Sequence, residues 1–364
     1  MLYCNVFPLA GQPAVVGGFQ PETLTVRSLQ SSDRQRWDEF VERCPEATFF
    51  HRAGWQEVIQ RAFGHATYYL YVEANGVIQG VLPLGHINSR LFGNALISVP
   101  FCMQGGIAAT SDEARVLLER AACELADSLD VDYLEMRDPV RRHPAWPVKD
   151  NLYVNFRKAI DPDPEVNMKS IPRKQRAMVR KGIQAGLVAE LEVGVERLFK
   201  AYSESVRNLG TPVFPRRYFR ILKEVFRDDC QILTVTLNRQ LVASVLSFYF
   251  RDQVLPYYGG GTALARQVKG NDFMYWELMR LACERGIRVF DYGRSKVDTG
   301  SYSFKKNWGF EPEPLYYEFY LVKATQLPEV NPMNPKYRLL IALWKHLPLP
   351  VSRWLGPFIS QKLG

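Results

Sequence analysis

The alternation of apolar and polar residues predicts two β-hairpins, one in each half of the chain. The first covers residues 67–84 around Asn-Gly at 75–76, a dipeptide typical of tight hairpin turns, and the second covers residues 231–250 around Asn-Arg at 238–239. Downstream of each hairpin the apolar residues take helical spacing and then return to a short β-rich run. The pattern therefore predicts the order hairpin, helix, strand twice.

Corresponding features of the two halves are separated by a nearly constant number of residues. Pro100 and Pro256 open glycine-rich turns 156 residues apart, and strands beginning at Tyr133 and Val289 have the same separation. The Ala-Cys pairs that begin at Ala122 and at residue 282 are 160 residues apart. A constant shift favours duplication of one unit, with chance alignment of two generic units as the alternative.

With 364 residues the chain exceeds one typical hydrophobic core. We predict an α/β (α+β) protein of two tandem domains, each a mixed, mostly antiparallel sheet flanked by helices. The predicted divisions are an N-terminal segment at 1–20, a first domain at 21–166, a basic linker helix at 167–186, a second domain at 187–325 and a C-terminal amphipathic extension at 326–364.

The second copy carries more candidate chemistry than the first. Residues 315–322 are expected to complete its sheet, and only this copy continues into the polar and aromatic segment 302–310. We therefore expect the working half of the protein, with its active cleft, to be the second domain.

Composition adds a basic charge to an otherwise ordinary globular pattern. The net charge is +8, which favours an anionic partner, although a solvated basic surface gives the same balance. The six cysteines are scattered with no CxxC pair, which predicts reduced core thiols and a reducing compartment. Because we find neither a signal-peptide pattern nor a long apolar run, we expect a cytoplasmic protein.

Two basic segments are candidate surfaces for anionic partners. Residues 168–186 concentrate lysine and arginine on a predicted helix, which is either a solvated linker or a phosphate-binding arm for an RNA such as tRNA. The tail at 337–363 mixes Trp344 and Trp354 with basic residues. It either packs onto its own domain or lies at a membrane interface, on the inner face of the plasma membrane.

The candidate site combines a helix start, a strand end and a short helix. Free amides at the start of a helix bind anions, and polar side chains past a strand end are where open sheets bind ligands. The predicted catalytic residues are Lys305, Asp291 and Tyr292. Lys305 would stabilise negative charge on the substrate or intermediate, and Asp291 or Tyr292 would transfer a proton. The predicted substrate-binding residues are Gly270, Asn271, Arg294, Ser295, Tyr258, Tyr302 and Phe304. For each carboxylate or tyrosine, a structural hydrogen bond is the alternative.

Other catalytic motifs are missing from the sequence. It contains no GxSxG, HExxH or GxxxxGK[ST] pattern, and its five histidines lie far apart. Serine-hydrolase and metal chemistry are therefore not expected, and no metal ligand is assigned.

Several motifs resemble the FemAB-like branch of the Gcn5-related N-acetyltransferase (GNAT) superfamily. These are QVKG before a helix, FDYGRS at a strand end, and SFKKNWGF, whose Phe304-Lys305 matches the FK pair of such domains. The segments WDEFVERCPEATFFHRAGW, NMKSIPRKQRAMVRKG and GTPVFP are similar to FemAB-like proteins associated with exosortase (XrtA) and PEP-CTERM systems.

The resemblance implies an acyl- or aminoacyl-transferase acting on an amine or hydroxyl of a cell-envelope, peptidoglycan or exopolysaccharide precursor. The donor would be acyl-CoA or aminoacyl-tRNA, with no permanently bound cofactor. Coenzyme A sites of the family have two close glycines, whereas this loop has Gly270 alone. The alternative functions are a non-catalytic RNA- or membrane-surface-binding protein and an envelope assembly factor with the same fold.

Overall fold

The first half of the chain forms the predicted hairpin, helix and strand, and two additional helices precede them in sequence. The computed structural model describes residues 23–89, 93–327 and 335–363. The elements are β1 (Thr25–Ser28), α1 (Arg34–Arg43), α2 (Gly54–Phe63), β2 (Ala66–Ala74), β3 (Val77–Ser89), β4 (Gly93–Ser98), β5 (Ala108–Ala109), α3 (Asp112–Ser128), β6 (Tyr133–Asp138) and β7 (Val148–Ala159). Asn75 and Gly76 both have positive φ, as a tight hairpin turn requires.

The second half repeats this order with several additional helices. Its elements are α4 (Pro164–Ser170), α5 (Arg173–Gln184), β8 (Val188–Glu192), α6 (Glu196–Leu209), α7 (Arg216–Phe226), β9 (Cys230–Leu237), β10 (Gln240–Phe250), β11 (Gln253–Gly261), α8 (Ala263–Val268), α9 (Gly270–Glu284), β12 (Val289–Asp291), β13 (Ser295–Lys296), α10 (Gly300–Asn307) and β14 (Pro312–Leu321). Two helices follow, α11 (Pro335–His346) and α12 (Leu349–Ser360).

One continuous sheet of 14 strands runs through both halves. Its order is β1-β2-β3-β4-β6-β14-β7-β12-β11-β10-β9-β8, with β5 beside β3 and β13 beside β7. The pairs β4–β6 and β11–β12 are parallel and the other pairs are antiparallel. The mixed, mostly antiparallel architecture is confirmed, but the two predicted sheets are joined edge to edge.

The sheets are joined because the two halves exchange a strand. Strand β14 of the second half pairs with β6 of the first, and β7 of the first half pairs with β12 of the second. The two exchanged strands also pair with each other. The expectation that residues 315–322 complete the second sheet is therefore wrong, because these residues complete the first. A strand edge presents the same backbone donors and acceptors to any strand, so the local pattern could not identify the partner.

Helices of both halves share one hydrophobic core. Phe49, which precedes α2, stacks on Phe248 of β10 with ring centroids 4.4 Å apart, and it also contacts Phe226 of α7. Two further cores lie under α3 and under α9. The shared core and the exchanged strands make the halves interdependent.

The basic segment predicted as a linker is packed against the second half. Val179 of α5 is fully buried, and a β-carbon at Gly182 would lie 2.7 Å from Phe273 Cβ of α9. Gln175 Nε2 donates to Asp272 Oδ1 at the start of α9. Helix α5, which carries the basic side chains, thus packs against the start of α9, which is part of the predicted site.

The glycines at 259–261 lie in a strand and not in the predicted turn. They end β11, where a β-carbon at Gly260 would lie 2.7 Å from the Ala201 carbonyl oxygen of α6. Glycine permits this close approach between strand and helix. The residues at 100–106, predicted as the matching turn of the first half, are indeed loop.

The described cysteines are all free thiols, as predicted. Cys44, Cys102, Cys230 and Cys283 are buried and Cys123 is half-buried. Cys4 and the predicted N-terminal segment lie outside the described residues. Over the part of the chain that the structure describes, no helix combines the length and apolar character needed to cross a bilayer.

Candidate active site

The candidate site lies where two parallel strands diverge. Strand β11 pairs with β12 only at Gln253–Val289 and Val254–Phe290. Beyond these pairs β11 continues to Gly261, whereas the chain after Asp291 stays beside β7, the strand with which β12 already pairs, and forms β13. Diverging strands of this kind are a common place for ligands in open α/β sheets.

Lys305 is buried beside this strand end. Thr299 caps the start of α10, because its hydroxyl accepts the Tyr302 amide. Lys305, farther along this helix, has its Nζ 5.6 Å from the ring centroid of Phe156 on β7. Lys305 Nζ donates to the carbonyl oxygens of Gly293 at 2.7 Å and Arg294 at 3.0 Å. Burial lowers the pKa of Lys305 to about 7, against the opposing effect of the Asp291 carboxylate. Lys305 can therefore exchange a proton near neutral pH.

Asp291 lies in a buried polar cluster next to Lys305. Its carboxylate accepts the Gly293 amide at 2.8 Å and the Asn155 side-chain amide at 3.2 Å. Burial raises the pKa of Asp291 despite these two hydrogen bonds. A carboxylate with a raised pKa can accept a proton from a reacting group.

Two buried oxygens near this cluster have no partner among the described residues. They are Asn155 Oδ1 on β7 and Ser295 Oγ on β13, where the neighbouring residue Val154 pairs with Ser295. Buried polar atoms are nearly always hydrogen-bonded, so an unpaired group calls for an explanation such as water or a ligand. The sequence prediction includes Ser295 but misses Asn155. A signal for Asn155 exists, because a lone amide between Val154 and Phe156 interrupts a buried strand.

Arg294 faces a separate cavity of about 190 Å³ at the junction of the two halves. Its guanidinium stacks on Tyr153, 4.4 Å from the ring centroid, and donates to Tyr317 Oη at 2.5 Å. The residue nevertheless remains exposed. The charged side chains in the wall are Arg137, Lys149, Arg294, Lys362 and Glu135.

The cavity has the charge of an anion site. Four cations face one carboxylate, and that carboxylate, Glu135, already pairs with Arg137 at 2.7 Å. The cavity combines β4, β6, β14 and β7, so strand exchange creates it. The short segment from Asp291 to Ser295 lies between this cavity and Lys305, and it connects the two groups of polar residues.

The start of α9 differs from the predicted anion-binding helix start. A β-carbon at Gly270 would overlap Val242, so this glycine serves close packing. The Asp272 carboxylate lies in the first turn and accepts Trp308 Nε1 at 3.2 Å as well as the Gln175 amide. A negative side chain here occupies the place where helix amides attract phosphate. Asn271 Oδ1 has no hydrogen-bond partner within the described ranges.

The two tyrosines predicted to act directly do not fit those roles. The Tyr292 ring is enclosed by Phe290, Phe310 and Tyr275, and burial raises the pKa of its phenol well above its ordinary value. The raised pKa favours the neutral phenol, which does not suit a base, and Tyr292 Oη is buried without a hydrogen-bond partner among the described residues. Tyr258 donates to or accepts from Tyr218 Oη at 2.7 Å in the shared aromatic core. It is a packing residue and not a substrate contact.

Tyr302 and Phe304 are half-buried and position α10. The Tyr302 ring packs edge-on against Phe156, and Phe304 packs against Tyr275. These contacts support the helix that carries Lys305. The structure thus brings together Lys305, Asp291 and Ser295 and places Arg294 on an adjoining cavity. Tyr258 and Gly270 lie in close packing, and Tyr292 is buried in the core under α9.

Comparison with known proteins shows the fold. Residues 167–306 match the sequence profile of the acetyltransferase (GNAT) domain. No curated protein sequence is significantly similar to this chain.

Solved structures extend the similarity across both halves. FemX is similar with a TM-score of 0.67 at 15% identity, over 87% of this chain and 100% of FemX. A tandem GNAT protein from the clavulanic acid biosynthesis pathway has a TM-score of 0.52 at 12% identity, over 84% of this chain and 100% of that protein. The C-terminal domain of a protein assigned as a lysylphosphatidylglycerol synthetase, from Agrobacterium fabrum, has a TM-score of 0.54 at 13% identity. The similarity covers 79% of this chain and 91% of that domain. The fold is therefore that of two tandem GNAT-like units.

Proposed function

We propose that this protein is a FemAB/GNAT-type transferase that moves an acyl or aminoacyl group onto an amine or hydroxyl of a cell-envelope precursor. The observation that carries the proposal is the buried Lys305, held on two carbonyls beside Asp291 within the part of the chain that matches the GNAT profile. A buried amine next to a carboxylate suits a reaction that develops negative charge and releases a proton.

In the proposed reaction the acceptor amine or hydroxyl attacks the carbonyl carbon of the donor. A C–N or C–O bond forms, the donor ester or thioester bond breaks, and the leaving oxygen or sulfur takes up a proton. Lys305 in its cationic form stabilises the oxyanion, and Asp291 receives the proton of the nucleophile. Asn155 and Ser295 contribute the unpaired oxygens that bind donors of the substrate.

The cavity around Arg294 is the proposed acceptor-binding region. Its excess of cations suits a phosphate or carboxylate group, as found in nucleotide-linked or lipid-linked precursors of peptidoglycan or exopolysaccharide. Assignment to the XrtA and PEP-CTERM branch belongs to this proposal. We further propose that the enzyme acts in the cytoplasm, on the inner face of the plasma membrane.

The donor favoured by the site is aminoacyl-tRNA over acyl-CoA. Asp272 would repel a pyrophosphate at the start of α9, and α5 presents Arg173, Lys174, Arg180 and Lys181 as exposed cations attached to that same helix start. Such a helix suits an RNA backbone. We expect CoA to leave the melting temperature unchanged and an aminoacyl-tRNA mimic to raise it.

Replacement of Lys305 tests the proposal. Lys305→Met keeps the length of the side chain and removes the amine, so transfer should fall by about a hundredfold or more. Lys306→Met is the matched control, because Lys306 is exposed on the same helix and its amine lies over Tyr302. Equal transfer by the Lys305 variant and the wild-type protein, with either donor, would remove Lys305 from the mechanism.

A second candidate function is non-catalytic RNA binding, which the exposed cations of α5 favour. It predicts steeply salt-dependent RNA binding with no turnover of any donor. Charge reversal at Arg180 and Lys181 would then abolish the only measurable activity. Under the transferase proposal the same change weakens donor binding and leaves turnover at saturating donor intact.

A further inference from the structure

Helix α12 packs against the protein with its small residues and presents its large apolar residues outward. Ser352 and Ser360 are buried, and Ser360 Oγ donates to the Val213 carbonyl oxygen at 3.1 Å. A β-carbon at Gly356, between them, would lie 2.8 Å from the Val213 amide nitrogen. A helix in water normally buries the large apolar face and exposes the small or polar one. The arrangement in α12 is the reverse.

The outward face of α12 is aromatic, and α11 exposes large apolar side chains as well. Trp354 is 68% exposed and Phe358 is 59% exposed, with Val351 on the same side. Helix α11 also contacts α6 and exposes a further set of large side chains, Leu339, Leu340 and Leu343. Exposed large apolar residues, concentrated on two helices that both pack on α6, indicate an interaction surface. We call these six residues the C-terminal apolar surface.

Cations and no carboxylate accompany this surface along the chain. Residues 335–363 contain five lysines and arginines and no Asp or Glu. Phe358 also lines a groove with Arg216, Arg217 and Arg220 at the start of α7. Two carboxylates oppose these cations, because Glu196 lies 3.9 Å from Arg220 and the charge of Glu204 acts on Arg353, but the cations outnumber them. The charge is therefore complementary to an anionic partner.

We propose that the C-terminal apolar surface docks the protein on an anionic lipid bilayer. Tryptophan and phenylalanine enter the boundary between headgroups and acyl chains, while arginine and lysine bind lipid phosphates. The combination of exposed aromatic residues with an excess of positive charge favours a lipid surface over a protein partner of mixed charge. The six residues of the C-terminal apolar surface are different from those of the transfer site, so the proposal does not depend on the reaction.

Flotation with vesicles tests the docking. The full-length protein should float with phosphatidylcholine vesicles that contain phosphatidylglycerol, and only weakly with phosphatidylcholine alone. A variant with Trp354→Ser and Phe358→Ser should bind the anionic vesicles about tenfold more weakly or worse. The matched control carries Val116→Ser and Val193→Ser, which removes exposed apolar residues elsewhere and should bind like the wild type.

Quenching by brominated lipids locates the contact. Binding of the wild-type protein should quench part of its tryptophan fluorescence, and Trp354→Phe should remove most of that quenching while binding persists. All variants change exposed side chains, so unchanged melting temperatures exclude loss of fold as the cause.

Three results would overturn the proposal. The first is failure of the wild-type protein to float with anionic vesicles. The second is equal vesicle binding by the Trp354→Ser, Phe358→Ser variant. The third is a lipid-independent dimer that this variant abolishes, which would assign the surface to a second copy of the chain.

Discussion

At the scale of single residues, burial gives Lys305 and Asp291 properties that their side chains do not have in water. Burial removes hydration from the ammonium group, so its pKa falls to about 7, although the Asp291 carboxylate opposes this fall. The carboxylate of Asp291 loses hydration too, and its pKa rises. The two shifts bring an acid and a base toward the same pH range, as proton-transfer sites require.

The shift at Lys305 predicts a pH dependence. If cationic Lys305 stabilises the oxyanion, kcat/KM should decline as pH rises through about 7, because the cation is lost above the pKa of the free enzyme. A rate profile with a saturating acceptor and limiting donor measures this.

The control is the rate profile of Lys306→Met, which should decline over the same range. A kcat/KM that instead increases through that range would contradict the cationic role of Lys305.

At the scale of elements, His143 ties the exchanged strand to α3. His143 lies in the loop between β6 and β7, 3.1 Å from Glu318 of β14 and 3.1 Å from Glu119 of α3. Although burial opposes protonation, hydrogen bonds to the two carboxylates raise the pKa of His143 to about 9. The imidazolium thus connects two segments that are distant in sequence.

This ion-pair network predicts a pH-dependent stability. Since the folded pKa is above the unfolded value of 6.5, the stabilisation is complete below pH 6.5 and is lost as pH rises through about 9. His143→Gln should lower the free energy of unfolding by about 2–3 kcal/mol below pH 6.5, and by little above pH 9.

Urea unfolding of both proteins at the two pH extremes measures this difference. His86→Gln, which removes a hydrogen bond to Asn94, is the control. An equal loss at both extremes for His143→Gln would show that its role is packing and not charge.

Close packing of α6 on β11 predicts a different kind of change. Gly260→Ala should cost about 1–3 kcal/mol, because the methyl group would meet the Ala201 carbonyl and the backbone of α6 must move. Gly300→Ala is the control, since its added methyl group meets no atom within 4 Å, and it should be neutral or slightly stabilising. Thermal or chemical unfolding compares the two. Equal stability of both variants would show that α6 moves away at no cost.

At the scale of the whole molecule, the two halves should unfold as one unit. They share the core around Phe49 and exchange β7 and β14, so neither sheet is complete without the other half. Each half would otherwise be large enough to hold a core of its own. The tandem units are therefore expected to unfold in a single cooperative transition.

A substitution in the shared core tests this cooperativity. Phe49→Ala should cost about 3–5 kcal/mol. Hydrogen exchange should show the same loss of protection in β2 of the first half and β10 of the second, because both amide sets exchange through global opening. Loss of protection confined to β2 would instead show that the halves are independent.

The sequence alone determined the parts of this protein that depend on near neighbours. Asn-Gly at 75–76 predicts the first hairpin, apolar spacing predicts α9, and the repeat spacing predicts tandem units, all of which the structure contains. The motif around Lys305 identifies a residue that the structure buries beside Asp291. These features follow from local backbone preferences and from side-chain periodicity, which a short segment carries by itself.

Only the tertiary structure decided which distant segments meet. Strand exchange, the cavity at Arg294, the burial of Tyr292 and the outward aromatic face of α12 all depend on partners far away in sequence. A strand edge can pair with many other strands. A tyrosine next to a candidate catalytic residue gives the same sequence pattern whether its hydroxyl faces a cleft or the core. The free energy of packing the whole chain selects among these alternatives, and a local sequence pattern does not determine that free energy.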